Sequence, residues 1–79
     1  MKKDFKDTIN NKVYEFRVLK RISQKELADA VGVSKQTIFV MEKNNYSPSL
    51  LLAFRISRYF EVDINEIFTY KEESDKNEI

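Results

Sequence analysis

Gly32 is the only glycine in a chain of 79 residues, and it falls between two short helical patterns that each carry their own start signal. Residues 23–43 read SQKELADAVGVSKQTIFVMEK. Ser23 is a good N-cap. Glu26, three residues on, completes an S-x-x-E capping box, in which side chains satisfy the free N–H groups of the first turn. Leu27, Ala28 and Val31 then mark one apolar face of a short helix. Gly32 follows directly, where a left-handed helix end costs least in a residue without a Cβ. Val33 is an apolar anchor, and Ser34 caps a second helix that runs to about Lys43. Two helices joined by so few residues around a glycine cannot lie antiparallel. They cross steeply and leave the second exposed along its outer side.

At about 100° per residue, Ile38, Met41 and Glu42 fall together on one side of the second helix, with Thr37 at the edge. Lys35, Gln36, Phe39, Val40 and Lys43 share the opposite arc. Ammonium, amide and apolar groups on one arc are the chemistry that reads base edges in a major groove.

The run Q-K-E-L-A-D-A-V-G-V-S-K-Q-T-I-F-V-M-E resembles the helix-turn-helix of the phage repressor/Cro-like (XRE-type) transcriptional regulators. Gln24 opens the first helix, Ala28 lies at the crossing, Gly32 is in the turn, and Ile38 and Met41 lie beneath. The likeness continues through Arg17, Glu42, Y-S-P-S-L at 46–50 and V-D-I-N-E-I-F at 62–68, so it covers about residues 9–70. It implies an all-α, five-helix lambda-repressor-like DNA-binding domain. Strand-like pieces at 8–10 and 69–71 are expected to pair as a short two-stranded antiparallel ribbon, as in the short cytolysin-repressor-like members. The organisation read from the sequence is a mobile segment over 1–7, the domain over 8–71 and a disordered charged tail over 72–79.

Composition narrows the alternatives. There is no cysteine and no histidine, which removes disulfides, thiolate metal sites and His-activated nucleophiles. No calcium-loop or glycine-rich phosphate loop appears, so neither an enzyme nor a metal or other cofactor is expected. No apolar run reaches the length of a membrane span, and MKKDFKDTIN lacks a signal peptide's apolar core. A cytoplasmic protein with no membrane partner is expected. The net charge is only +1, but residues 1–48 hold ten Lys/Arg against six Asp/Glu, while residues 49–79 hold four against seven. Local phosphate neutralisation, rather than net charge, sets non-specific DNA affinity, and this asymmetry supplies a basic half.

Outside the central unit, a first helix is expected from about Asn11, capped by Asn10 or Asn11. Val13, Phe16 and Arg17 mark its inner stripe, and Lys20 extends it. The resemblance implies a structural ion pair between Arg17 and Glu42. It places a glycine where this chain has Arg21, so either Arg21 accepts a strained backbone or the first helix ends differently. Asn44 can end the third helix, Pro48 stops it and Ser49 caps the fourth. Leu50, Ala53, Ile56, Ser57 and Phe60 are expected as the fourth helix's inner stripe, with Leu51, Leu52, Phe54 and Tyr59 beyond it. Asp63 and Glu66 form a second capping box, opening a fifth helix with Ile64, Ile67 and Phe68.

By carry-over from the family, Lys35 and Gln36 lead the base-reading set; at Phe39 and Val40, where the family often has small or polar residues, the apolar pair here suits thymine methyl groups. Gln24, Ser34, Thr37, Lys43, Asn44 and Asn45 are the expected phosphate contacts. One such module covers a half-site, so a homodimer on double-stranded DNA is expected. Its two reading helices would lie about 34–36 Å apart on a pseudo-palindrome. Leu51, Phe54, Ile64, Ile67, Phe68 and Tyr70 are the dimer-interface candidates. A small-molecule effector is not expected. The sequence leaves two other readings open: an antitoxin-like DNA-binding protein that chiefly holds a protein partner, and an interaction module without DNA binding.

Overall fold

Two strands frame the fold in the computed structural model, which describes residues 6–72. β1 (Thr8–Asn11) pairs antiparallel with β2 (Phe68–Lys71), in the register Thr8↔Lys71, Ile9↔Tyr70, Asn10↔Thr69 and Asn11↔Phe68. Lys12 N–H extends the tie by donating to the Ile67 carbonyl at 2.9 Å. A pair of strands alone is marginal in water, so this ribbon persists as a clasp on a helical body. Of the expected mobile segment over 1–7 and charged tail over 72–79, residues 1–5 and 73–79 lie outside the described residues.

Five helices lie between the strands: α1 (Val13–Lys20), α2 (Gln24–Val31), α3 (Lys35–Glu42), α4 (Leu50–Phe60) and α5 (Ile64–Ile67). Every helix contributes to one core. Val13, Leu27, Ala28, Val31, Ile38, Met41, Leu52, Ile56 and Ile67 are buried, and Phe16, Ile22, Val33, Tyr59, Phe60, Val62 and Phe68 pack around them. Ser57 is buried too, and its hydroxyl donates to the Ala53 carbonyl one turn back at 2.8 Å. That bond lets a hydroxyl sit in the core without an unpaired donor.

The helix ends repeat one device. Residues 21, 32, 44 and 61 all have positive φ, and only one of them is glycine. After each, the next residue's N–H reaches back five residues: Ile22 to Arg17, Val33 to Ala28, Asn45 to Val40 and Val62 to Ser57, at 3.0–3.3 Å. This is the Schellman pattern, in which a left-handed residue lets two N–H groups cover the last free carbonyls. Ile22, Val33 and Val62 then turn their apolar side chains onto the core, which favours the turn further. Arg21 thus accepts the left-handed backbone (φ 60°) in place of glycine, at a cost of about 1–2 kcal/mol.

Several expectations need correction. α1 begins at Val13, with Lys12 as N-cap and Asn11 in the strand. The Asn11 side-chain oxygen still accepts the Val13 N–H at 3.0 Å. Lys20 does not extend the buried stripe: it is exposed, with its ammonium 5.5 Å from the Tyr59 ring centre. In α4, Leu50 is 69% exposed and Leu52 only 4%. Counted at about 100° per residue, Leu52 falls on the arc of Ala53, Ile56 and Phe60, whereas Leu50 starts the helix beside the Ser49 cap and turns outward. Phe68 belongs to β2 rather than α5.

Candidate nucleic-acid interface

The geometry of α2 and α3 follows from their caps. The Ser23 hydroxyl accepts Glu26 N–H at 3.0 Å while the Glu26 carboxylate accepts Ser23 N–H at 2.7 Å, closing the reciprocal box. Gly32 ends α2 at φ 79°. Arg55 of α4 donates to the neighbouring Val31 carbonyl at 3.3 Å, placing a cation at the negative end of the helix dipole. The Ser34 hydroxyl accepts Thr37 N–H at 3.1 Å and lies 3.0 Å from the Thr37 hydroxyl. Both side chains are thus engaged in opening α3, which accounts for their positions without a phosphate.

α3 is anchored from beneath. Ile38 and Met41 are fully buried, and they fix the rotation of the helix about its axis. The opposite side carries Gln36, Phe39, Val40 and Lys43 at i, i+3, i+4 and i+7, with Lys35 alongside. Lys35, Gln36, Phe39 and Lys43 are exposed, and Val40 is half-buried. The Lys43 ammonium lies 4.9 Å from the centre of the Phe39 ring. Side chains on a helix lean towards its N-terminus, so a lysine four residues on naturally covers the ring. Phe39 therefore stays on the outer surface instead of folding onto the core.

A partly buried polar cluster locks this ridge to the first helix. Glu42 accepts from Arg17 Nε at 2.6 Å and Nη2 at 3.1 Å, and from the Gln24 amide at 3.0 Å. Arg17 also donates to the Ile22 carbonyl at 2.9 Å, and its guanidinium lies 5.5 Å from the Tyr14 ring centre. The Glu42 hydrogen bond holds the guanidinium more firmly protonated than usual, outweighing the opposing effect of burial. Among the described residues no buried side-chain nitrogen or oxygen lacks a partner.

The expected phosphate contacts divide. Lys43 and Asn45 are exposed at the far end of α3. Gln24 lies at the start of α2, but one amide hydrogen is already turned inward to Glu42. Asn44 is also partly committed: its side-chain oxygen accepts both the backbone and side-chain N–H of Asn11 at 3.1 Å. Asn11, whose amide also donates to the Met41 carbonyl at 2.8 Å, closes the end of α3 and was not among the expected site residues. An asparagine just before a helix reads as a cap, and nothing local signals a partner 33 residues away.

Among the interface candidates, Ile67 must be removed. It is fully enclosed in the core and has no surface to offer a second chain. Ile64 and Phe68 are half-buried, while Leu51, Phe54 and Tyr70 are exposed. The Tyr70 hydroxyl donates to the Asp7 carboxylate at 2.8 Å. Leu50, placed in the core by the sequence reading, instead joins Leu51 and Phe54 on the outer arc of α4.

Residues 13–67 match the helix-turn-helix family HTH_3. An HTH-type transcriptional regulator of Methanocaldococcus jannaschii is 45% identical over 65 residues, covering 82% of this chain and 98% of its own. The HTH-type transcriptional regulator YgzD of Bacillus subtilis is 41% identical over 66 residues, covering 84% of this chain and all of its own. A cryptic phage CTXphi transcriptional repressor, RstR of Vibrio cholerae, is 30% identical over 63 residues, or 80% of this chain and 57% of its own. In shape, the crystal structure of the transcriptional regulator VanUg superposes with a TM-score of 0.70 at 24% identity, covering 92% of this chain and 96% of that one.

Proposed function

This chain belongs to the HTH_3 helix-turn-helix family, and on that premise we propose that it is a sequence-specific regulator of transcription. It binds double-stranded DNA through α3. The observation that carries this reading is the division of α3 into two faces. Ile38 and Met41 are fully buried, while Lys35, Gln36, Phe39 and Lys43 stand in solvent opposite them.

Gln36 reads adenine through N6 and N7, and Lys35 donates to guanine O6 and N7. The start of α2 and the Lys43–Asn45 turn bracket the sugar–phosphate backbone on either side of the groove. The protein works as a repressor, in the cytoplasm, with no catalytic step. It acts as a homodimer on a pseudo-palindrome whose half-sites lie one turn apart, about 34–36 Å. The exposed apolar arc of Leu51 and Phe54, extended by Leu50, supports this assembly, with Ile64, Phe68 and Tyr70 as further candidates.

Selection of bound sites from random duplex DNA tests the reading. It should yield a pseudo-palindrome with fixed half-site spacing. Recovery of no enriched sequence, with binding that depends only on salt, contradicts it.

A further inference from the structure

We infer that Phe39, held in place by Lys43, detects the C5-methyl group of a pyrimidine, so that this protein reads the methyl itself rather than the base that carries it. The inference rests on the DNA-binding reading above and deepens it. Phe39 is 41% exposed in the middle of the outer ridge of α3, and Val40 beside it is half-buried. Neither side chain can donate or accept a hydrogen bond. Most groups on a major-groove edge are donors or acceptors; the apolar ones at the pyrimidine C5 position are the small C5–H of cytosine and the larger, projecting methyl of thymine. An acceptor pressed against phenylalanine would lose its water without gaining a partner. A methyl group loses nothing and is itself removed from water.

Lys43 steadies the ring. Its ammonium lies 4.9 Å from the ring centre, which occupies one face and pins the ring. The remaining face and edge then reach the groove with little further loss of side-chain freedom. Position C5 of cytosine occupies the same place in the groove as C5 of thymine. The ring therefore has no means of distinguishing thymine from 5-methylcytosine at that atom. Cytosine methylation at the facing position should strengthen binding.

The test uses the duplex selected from random DNA. Each thymine is replaced in turn by deoxyuridine, which removes only the methyl. At one or two positions per half-site the affinity should fall about fourfold, the value of one buried carbon. Cytosine placed at the same position should gain a similar factor when methylated at C5. Both ratios should shrink towards one in Phe39→Ala. The inference is overturned if the selected duplex binds but no thymine is sensitive. It is equally overturned if C5 methylation of the facing cytosine changes nothing, or if the sensitivity persists in Phe39→Ala. A flat thymine scan overturns the inference in the unaltered protein, and Phe39→Gln serves as the second variant should Phe39→Ala fold poorly. Selection of no duplex at all removes the DNA-binding reading as well, which separates the two failures.

Discussion

The guanidinium of Arg17 and the carboxylate of Glu42, 25 residues apart in sequence, meet in a two-pronged bond of 2.6 and 3.1 Å. Their side chains are only 13% and 6% exposed. Glu42 is the last residue of the reading helix, and Arg17 lies in the first. The pair therefore ties the orientation of α3 to a helix outside the bent unit.

Removing either partner leaves a charge without its counterpart in a small core. Arg17→Ala and Glu42→Ala should each cost about 3–5 kcal/mol, a large share of what a domain of this size has. Replacing both at once, as Arg17→Met with Glu42→Leu, should cost less than either single change, because the desolvation of two charges disappears together. Urea denaturation followed by helical circular dichroism gives all three values.

Relief is available at the end of α1. Arg21 holds φ 60°, a conformation that costs a side-chain-bearing residue about 1–2 kcal/mol. Glycine removes that strain and adds unfolded-state freedom worth roughly 0.5–1 kcal/mol. Arg21→Gly should therefore stabilise the domain slightly, by up to about 1 kcal/mol. Gly32→Ala, at φ 79°, should destabilise it. There the strain alone carries the effect, since an added Cβ would meet Arg55 Nη1 at an unremarkable 3.5 Å.

These helix ends show what the sequence makes legible. Gly32 and Asn44 declare themselves, because their residue types favour positive φ. Arg21 and Glu61 do not, yet each sits in the same pattern as Gly32: a left-handed residue, an apolar one, then a cap. R-I-S, G-V-S and E-V-D share it at 21–23, 32–34 and 61–63. Read as a repeat, that pattern would have located three of the left-handed ends. The two faces of α3 followed from periodicity alone. The sequence exchanges Leu50 and Leu52 because a run of three leucines fits several helical phases, and only the packed partners choose among them. The commitments of Gln24 and Asn44 to Glu42 and Asn11 are contacts between distant segments, invisible to local spacing.

The exposed arc of α4 predicts self-association. Leu51 is 60% and Phe54 48% exposed, with Leu50 at 69% beside them. Leu51→Arg combined with Phe54→Arg should shift a dimer to monomer in sedimentation at tens of micromolar and abolish cooperative occupancy of a two-half-site duplex. Helical content should be unchanged. A wild-type protein that is already monomeric there, and binds DNA without cooperativity, contradicts the assembly.

Lys43 is expected to act on DNA through its charge. Lys43→Ala should weaken binding to random duplex and reduce the slope of log affinity against log salt by about one. Titrations at several salt concentrations measure both.

The most direct measurement is the affinity of Lys35→Ala combined with Gln36→Ala for the selected duplex, followed by fluorescence anisotropy with circular dichroism as a check on folding. Both residues are exposed, so the fold should be unaffected. Loss of the glutamine contact alone is worth about 1–3 kcal/mol, so the double variant should bind at least about tenfold more weakly and lose preference at the facing base pairs. Unchanged affinity and preference in a folded double variant would contradict the assignment of α3 as the element that reads DNA.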